Sequence, residues 1–127
     1  MRALCTGSRS WRDQATIVAA LTFAHADLLA SNQRASDLVI VHGACPTGAD
    51  AIVDRVAREL LGFTVERHPA DWSQGRGAGF ARNDRMVKLG ADLCLAFWDG
   101  RSRGTLHTIT QAVLAGIPVR IFPEATP

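Results

Sequence analysis

Tyrosine is absent from the 127-residue chain, lysine occurs once, at Lys88, and cysteine occurs three times, at Cys5, Cys45 and Cys94. The cysteine count is odd and no pair has CxxC spacing, so neither a disulfide framework nor a thiolate metal knuckle is indicated. Cys5 and Cys94 fall inside apolar runs and read as core residues. Cys45 falls in a loop, where a nucleophilic thiol stands as an alternative to plain loop structure. This usage fits a reducing cytosol. No stretch approaches the roughly 18 apolar residues of a membrane span. Thr6-Gly7-Ser8-Arg9 follows Arg2 too closely for the apolar region of a signal peptide. The expected location is therefore the cytoplasm, with no membrane partner. His25, His42, His68 and His107 show no metal-ligand spacing, so no metal and no other cofactor is expected. The net charge of +2 is too small to argue for nucleic-acid binding by itself.

What the chain does have is arginine. All the basic residues but Lys88 are arginine, and Arg9, Arg12, Arg76, Arg82, Arg85, Arg101 and Arg103 lie in or beside three glycine-containing segments. The guanidinium fork suits phosphate and carboxylate, although an arginine-rich coding bias with solvated side chains would look the same.

Apolar runs at residues 2–5, 38–41, 63–67, 91–98 and 117–122 read as five strands. Between them, Asp13 can cap a helix that repeats Ile17, Ala20, Leu21, Ala24 and Leu28 at helical spacing. A second helix carries Ala49, Ile52, Val53, Val56, Ala57, Leu60 and Leu61 and ends at Gly62. A weaker third spans about residues 80–89. A fourth presents Leu106, Ile109, Thr110, Val113 and Leu114 on one face. Residues 31–37 read as a polar connector and 123–127 as a tail. Strict alternation of strand and helix predicts one α/β domain over residues 1–127. It has three layers, with helices on both faces of a five-stranded, mainly parallel sheet.

In such sheets ligands bind beyond the carboxyl ends of the strands, at the point where strand order switches. Four loops fall there: Thr6 to Arg9, Gly43 to Asp50, Asp71 to Asp84, and Asp99 to Thr105. Glycines let backbone N–H groups approach an anion, and each loop feeds a helix N-terminus with its partial positive charge. Ser8, Thr47, Ser102 and Thr105 add hydroxyls. Gly43 and Gly48 have P-loop spacing, but Ala49 and Asp50 stand where the lysine and the magnesium-binding hydroxyl belong, which argues against ATPase chemistry. Asp50, in the first turn of the second helix, has two readings: it stabilises the helix, or it accepts hydrogen bonds from ligand hydroxyls such as those of a ribose. Trp11 and Trp72 each read as a stacking platform for a base or as a plug that anchors a loop. His107 faces the loop edge and is a candidate ligand contact.

Taken together, Gly7-Ser8-Arg9-x-Trp11-x-Asp13, His42-Gly43-Ala44-Cys45-Pro46-x-Gly48-Ala49-Asp50, Pro69-Ala70-Asp71-Trp72, Arg82-Asn83-x-x-Met86 and Ser102-Arg103-Gly104-Thr105 resemble the YspA-type, cpYpsA-related branch of the SLOG superfamily. The resemblance runs over almost the whole chain. SLOG domains are Rossmann-like; the superfamily includes LONELY GUY phosphoribohydrolases, the DNA-processing protein of natural transformation, and sensor domains that bind nucleotide-derived signals. The resemblance implies a binding module that senses or sequesters a nucleotide or an ADP-ribose-like phosphorylated ligand. In that reading Gly7, Ser8, Arg9, Gly43, Gly48, Gly104 and Thr105 surround phosphate, Asp50 takes ribose hydroxyls, Trp11 or Trp72 stacks on the base, Arg82 and Asn83 line the rim, and Asp71 and Arg103 complete the ligand-binding set. An alternative is hydrolysis of a nucleotide N-glycosidic bond. The LONELY GUY motif Pro-Gly-Gly-x-Gly-Thr-x-x-Glu is matched at Gly104-Thr105, but Thr108 stands where its glutamate belongs, so the carboxylate would have to come from Asp50, Asp71, Asp84 or Asp99. The lack of tyrosine argues against the related deoxyribosyltransferases. Single-stranded nucleic-acid binding is a further alternative, by analogy with the DNA-processing relatives. Self-association is common among the relatives, which implies a homodimer. The host, phage or bacterium, does not follow from the residues.

Overall fold

Residues 1–34 and 37–125 are described by the computed structural model. Residues 35–36 of the expected connector and 126–127 of the expected tail lie outside the described residues. The chain runs β1 (Arg2–Gly7), α1 (Gln14–Ala30), β2 (Val39–His42), α2 (Gly48–Arg55), β3 (Thr64–Arg67), α3 (Ala78–Lys88), β4 (Leu93–Phe97), α4 (Arg103–Leu114) and β5 (Val119–Phe122). A π-helical turn, Val56–Leu60, extends α2, and a short 3-10 turn, Trp72–Gln74, interrupts the connection from β3 to α3. The five strands form one sheet in the order β3-β2-β1-β4-β5, and every pairing is parallel. This is a Rossmann-like α/β arrangement, and the sheet is wholly rather than mainly parallel. The order reverses between β1 and β4, so a crevice opens at their carboxyl ends.

Side-chain alternation in the central strands sorts the core into two layers. Ala3 and Cys5 of β1, with Leu93, Leu95 and Phe97 of β4, face α1 and α2. Leu4 and Cys94 point the other way, toward Met86 and Val87 of α3 and Ala112 of α4. Strands buried on both faces lose the polar alternation of a surface sheet, which is why they read as continuous apolar runs. In α1, Asp13 accepts a hydrogen bond from the Thr16 N–H at 3.1 Å and caps the helix. The same five residues that repeat in its sequence are the buried ones.

In α4 the expected face is turned largely outward, with Ile109 alone of it buried. Thr105, Thr108, Ile109 and Ala112 are buried, while Leu106, Val113 and Leu114 are exposed by 46%, 60% and 76%. The threonine hydroxyls are satisfied inside the helix: Thr108 Oγ1 donates to the Gly104 carbonyl at 3.2 Å, and Thr105 Oγ1 lies 2.9 Å from Ser102 Oγ. A hydroxyl bonded in this way can be buried at little cost. Among the described residues no helix is long and apolar enough to cross a membrane.

Ser8 joins three loops at the top of the sheet. Its N–H donates to the Phe97 carbonyl at 3.0 Å, and its carbonyl accepts from Trp11 N–H at 3.2 Å and Ala49 N–H at 3.0 Å. Its Oγ accepts from Asp99 N–H at 3.1 Å. This close approach explains two glycines. A methyl on Gly7 would sit 2.7 Å from the Phe97 carbonyl oxygen, and one on Gly48, at φ +74°, would collide with the backbone of Ser8 and Arg9. Gly48→Ala is expected to destabilise the fold by at least about 2 kcal/mol. Gly104→Ala, with no atom within 4 Å of the added methyl, is expected to stay within about 0.5 kcal/mol. Urea unfolding of the two variants checks the contrast.

Candidate functional site

A cleft of about 460 Å³ opens at the carboxyl ends of the strands, over the β1–β4 switch point. One wall is the turn after β1, Gly7 to Ser10. The loop after β2 supplies Gly43 and Cys45, and the first turn of α2 supplies Asp50. Trp72, Arg76 and the start of α3, with Gly79, Phe80, Arg82 and Asn83, form the opposite wall. Asp99, Ser102, Gly104 and Thr105, from the β4–α4 connection, complete it. Cys5, Thr6 and Met86 also contribute to the lining. Arg9 and Ser10 are the central residues of the turn closed by the Trp11 N–H to Ser8 carbonyl bond. Their own N–H groups make no hydrogen bond among the described residues. The Arg9 guanidinium lies over the Trp72 ring, 5.5 Å from its centroid, so the two loops meet across the cleft.

Two charged side chains are buried in this cleft without being paired to each other. Arg82 is 9% exposed. Its Nε donates to Asn83 Oδ1 at 2.7 Å, and its Nη1 donates to the carbonyls of Gly43 and, at 3.3 Å, His68. Its Nη2 makes no hydrogen bond, and no carboxylate forms an ion pair with it, among the described residues. Burial lowers the Arg82 pKa, partly offset by the negative charge of Asp50. Gly43 is glycine because a methyl there would lie 2.7 Å from Arg82 Nη1. Asp50 is 8% exposed, and burial raises its pKa against the opposing pull of His42, the Cys45 N–H and Arg82. Among the described residues its Oδ2 accepts from the Cys45 N–H at 3.2 Å, and the Gly43 N–H also acts on the carboxyl to lower its pKa.

The loop after β2 is held from behind. His42 is buried, its Nδ1 accepts from the Ala44 N–H at 2.9 Å, and its Nε2 lies 2.7 Å from Asp54 Oδ2. The first contact leaves the proton on Nε2. It also holds Ala44 at φ +58°, a backbone region that costs an L-residue roughly 1 kcal/mol or more. Asp54 is held well below the usual carboxylate range, first by the Arg67 guanidinium and then by Arg58 and His42.

The model of the YspA, cpYpsA-related SLOG family matches residues 1–75. The chain belongs to this family. The Gene 61 protein of Mycobacterium phage D29 is 48% identical over 128 residues, covering 97% of each chain. The family match ends just after the 3-10 turn, so the α3 and α4 walls of this SLOG cleft lie beyond it, within the span shared with the phage relative.

Of the residues singled out in the sequence, Gly7, Ser8, Arg9, Gly43, Asp50, Trp72, Arg82, Asn83, Gly104 and Thr105 all line the cleft. Four others do not. Trp11 is 2% exposed, packs edge-on against Phe97 and donates from Nε1 to the Asp13 carbonyl at 2.9 Å; it is a core plug, not a stacking platform. Gly48 serves the contact with Ser8. Asp71 caps the 3-10 turn through the Ser73 N–H at 3.2 Å. Arg103 is exposed at the first position of α4, outside the lining. Among the carboxylates, Asp84 is taken by His107, at 2.7 Å, away from the cleft, and His107 itself packs on Phe80 rather than reaching the loop edge. Asp99 lines the cleft but accepts from the N–H groups of Ser102 and Arg101, each at 2.8 Å, and these bonds lower its pKa. Thr108 is fully buried, bonded within α4. Asp50 alone of the four candidate carboxyls both lines the cleft and has a raised pKa.

Phe80 had not stood out, because a short helix of weak periodicity hides which residues face a neighbouring loop. The Arg82-Asn83 pair in the middle of that helix was the available signal.

Cys5 is fully buried with its pKa pushed well up, and burial pushes Cys94 up to about 12. Cys45 is partly exposed in the cleft. An aromatic-disulfide thiol reagent is expected to titrate one thiol per native chain and three in guanidinium chloride. Mass mapping should place the native adduct on Cys45.

Proposed function

We propose that the cleft binds, to sense or to sequester, a nucleotide or ADP-ribose-like phosphorylated small molecule. The observation that carries this reading is Arg82: a mostly buried guanidinium whose Nη2 makes no hydrogen bond, and which forms no ion pair, among the described residues. The negative charge of Asp50 offsets only part of the cost of burying this cation, and an incoming anion relieves more of it. The phosphate lies between the turn after β1, where the Arg9 and Ser10 N–H groups carry no partner among the described residues, and the N-terminus of α4 at Gly104 and Thr105. Trp72, 55% exposed at the wall of the cleft, offers its ring to the base. Asn83 holds the wall in place through Arg82 and the Gly104 carbonyl. The volume, about 460 Å³, falls among pockets for whole cofactor-sized ligands, well above the space a lone phosphate fills.

Native mass spectrometry of the purified protein, with identification of any released molecule, is the first test. A panel of nucleoside phosphates and ADP-ribose in a thermal-unfolding assay is the second. A ligand of this class is expected in one or both; an empty protein indifferent to the whole panel rejects the proposal. Trp72→Ala is expected to weaken binding about 5- to 100-fold, the loss of one base–aromatic stack. It should leave the urea midpoint nearly unchanged, since the ring is exposed. Titration calorimetry of wild type and variant reads the first effect.

The raised pKa of Asp50 favours a second reading, in which the same carboxyl assists cleavage of the N-glycosidic bond. Release of free base from a bound nucleoside monophosphate, followed by chromatography, separates hydrolysis from binding.

A further inference from the structure

The Asp50 carboxyl is under-used by the protein. A carboxylate in the first turn of a helix ordinarily serves the helix by accepting from its free N–H groups or by meeting its positive end. Asp50 instead reaches back to the preceding loop and takes the Cys45 N–H at 3.2 Å. It is 8% exposed and lines the cleft. A carboxylate has about four acceptor positions, so beyond the Cys45 and Gly43 N–H groups those on Asp50 have no donor among the described residues. The contrast within α2 is direct: Asp54, one turn later, is engaged by His42, Arg58 and Arg67.

Strand order says what meets it. Trp72 follows β3, Asp50 follows β2, the Gly7–Ser10 turn follows β1, and Ser102 to Thr105 follow β4. In the sheet these strands stand in the order β3, β2, β1, β4. A base at Trp72 and a phosphate between the β1 turn and α4 therefore flank the position of Asp50. In a nucleotide the group between base and phosphate is the sugar. We infer that Asp50 is the sugar-selecting residue of the cleft. It accepts hydrogen bonds from the vicinal diol of a ribose, and so favours ribonucleotides over 2′-deoxyribonucleotides. This rests on the nucleotide reading above. Burial disfavours the ionised carboxyl in the empty cleft, and hydroxyl donors from a ribose supply the solvation that burial removed. A 2′-deoxyribose supplies one donor fewer and leaves a buried acceptor unfilled.

The test is a calorimetric titration of the whole chain with the ribonucleoside 5′-monophosphates, ADP and their 2′-deoxy counterparts. The ribo member of a binding pair is expected to bind at least about tenfold tighter than its deoxy partner. In Asp50→Asn the ratio should fall to about threefold or less while deoxynucleotide binding persists. Equal affinities within wild-type pairs overturn the inference and leave the nucleotide reading standing. Failure of every pair, and of ADP-ribose titrated beside them, to bind overturns the reading and the inference with it. An undiminished ribose preference in Asp50→Asn removes Asp50 from the role. If that variant does not fold, Asp50→Ser replaces it, and the wild-type pairs decide on sugar preference without any variant.

Discussion

The carbonyl of Ser8 accepts two hydrogen bonds, one that closes its own turn and one from the first turn of α2. The same residue ties its N–H to the end of β4 and its hydroxyl to Asp99. Three loops from separate crossovers are thereby fixed around one peptide unit, at the point where strand order reverses. Gly7 and Gly48 are the steric condition for that knot, since a side chain at either would force the loops apart. The cleft exists because these backbones converge closely while the side chains around them stay short. This gives glycine-rich loops at a sheet edge a second reason to be glycine-rich. At Gly7 and Gly48 that reason is the close meeting of one loop with another.

That distinction marks where the sequence was legible and where it was not. The alternation of strands and helices, the Asp13 cap and the buried stripe of α1 could all be read directly, because each is a local pattern with a local cause. The four cleft-forming loops could be read from topology. Which face of α4 turns inward could not, because buried threonines bonded to their own helix mimic a polar surface. Trp11 and Gly48 stand in the same motifs as Arg9 and Asp50 and carry the same resemblance, yet their work is packing. Motif membership marks a segment, while burial and hydrogen bonding divide the segment between scaffold and site. The reverse holds for His42, which sits in a motif and lies outside the cleft lining, but braces the loop that carries Cys45.

Arg82 and Asp50 are opposite charges within electrostatic reach of each other, and neither neutralises the other by contact. Holding them apart takes structure: Arg82 is fastened by two backbone carbonyls and Asn83, and Asp50 by a backbone N–H. A pair allowed to collapse together would be more comfortable for the protein alone and would leave a neutral floor. Held apart, they make a cleft with one donor-rich and one acceptor-rich region, and that polarity gives a ligand an orientation as well as a place.

The Arg9–Trp72 contact has a consequence for energetics. Any ring that stacks on the covered face of Trp72 must first dislodge a guanidinium already resting there at 5.5 Å. For a ligand that used this face, Arg9 would act as an internal competitor, and the apparent affinity would equal the intrinsic one scaled by the fraction of time Arg9 stands aside. The displaced cation would remain tethered to the turn after β1, beside the proposed phosphate position. What the base takes from the tryptophan, the phosphate can return to the arginine. Molecules that bring both groups are then favoured over bare bases or bare phosphates by more than the sum of the parts.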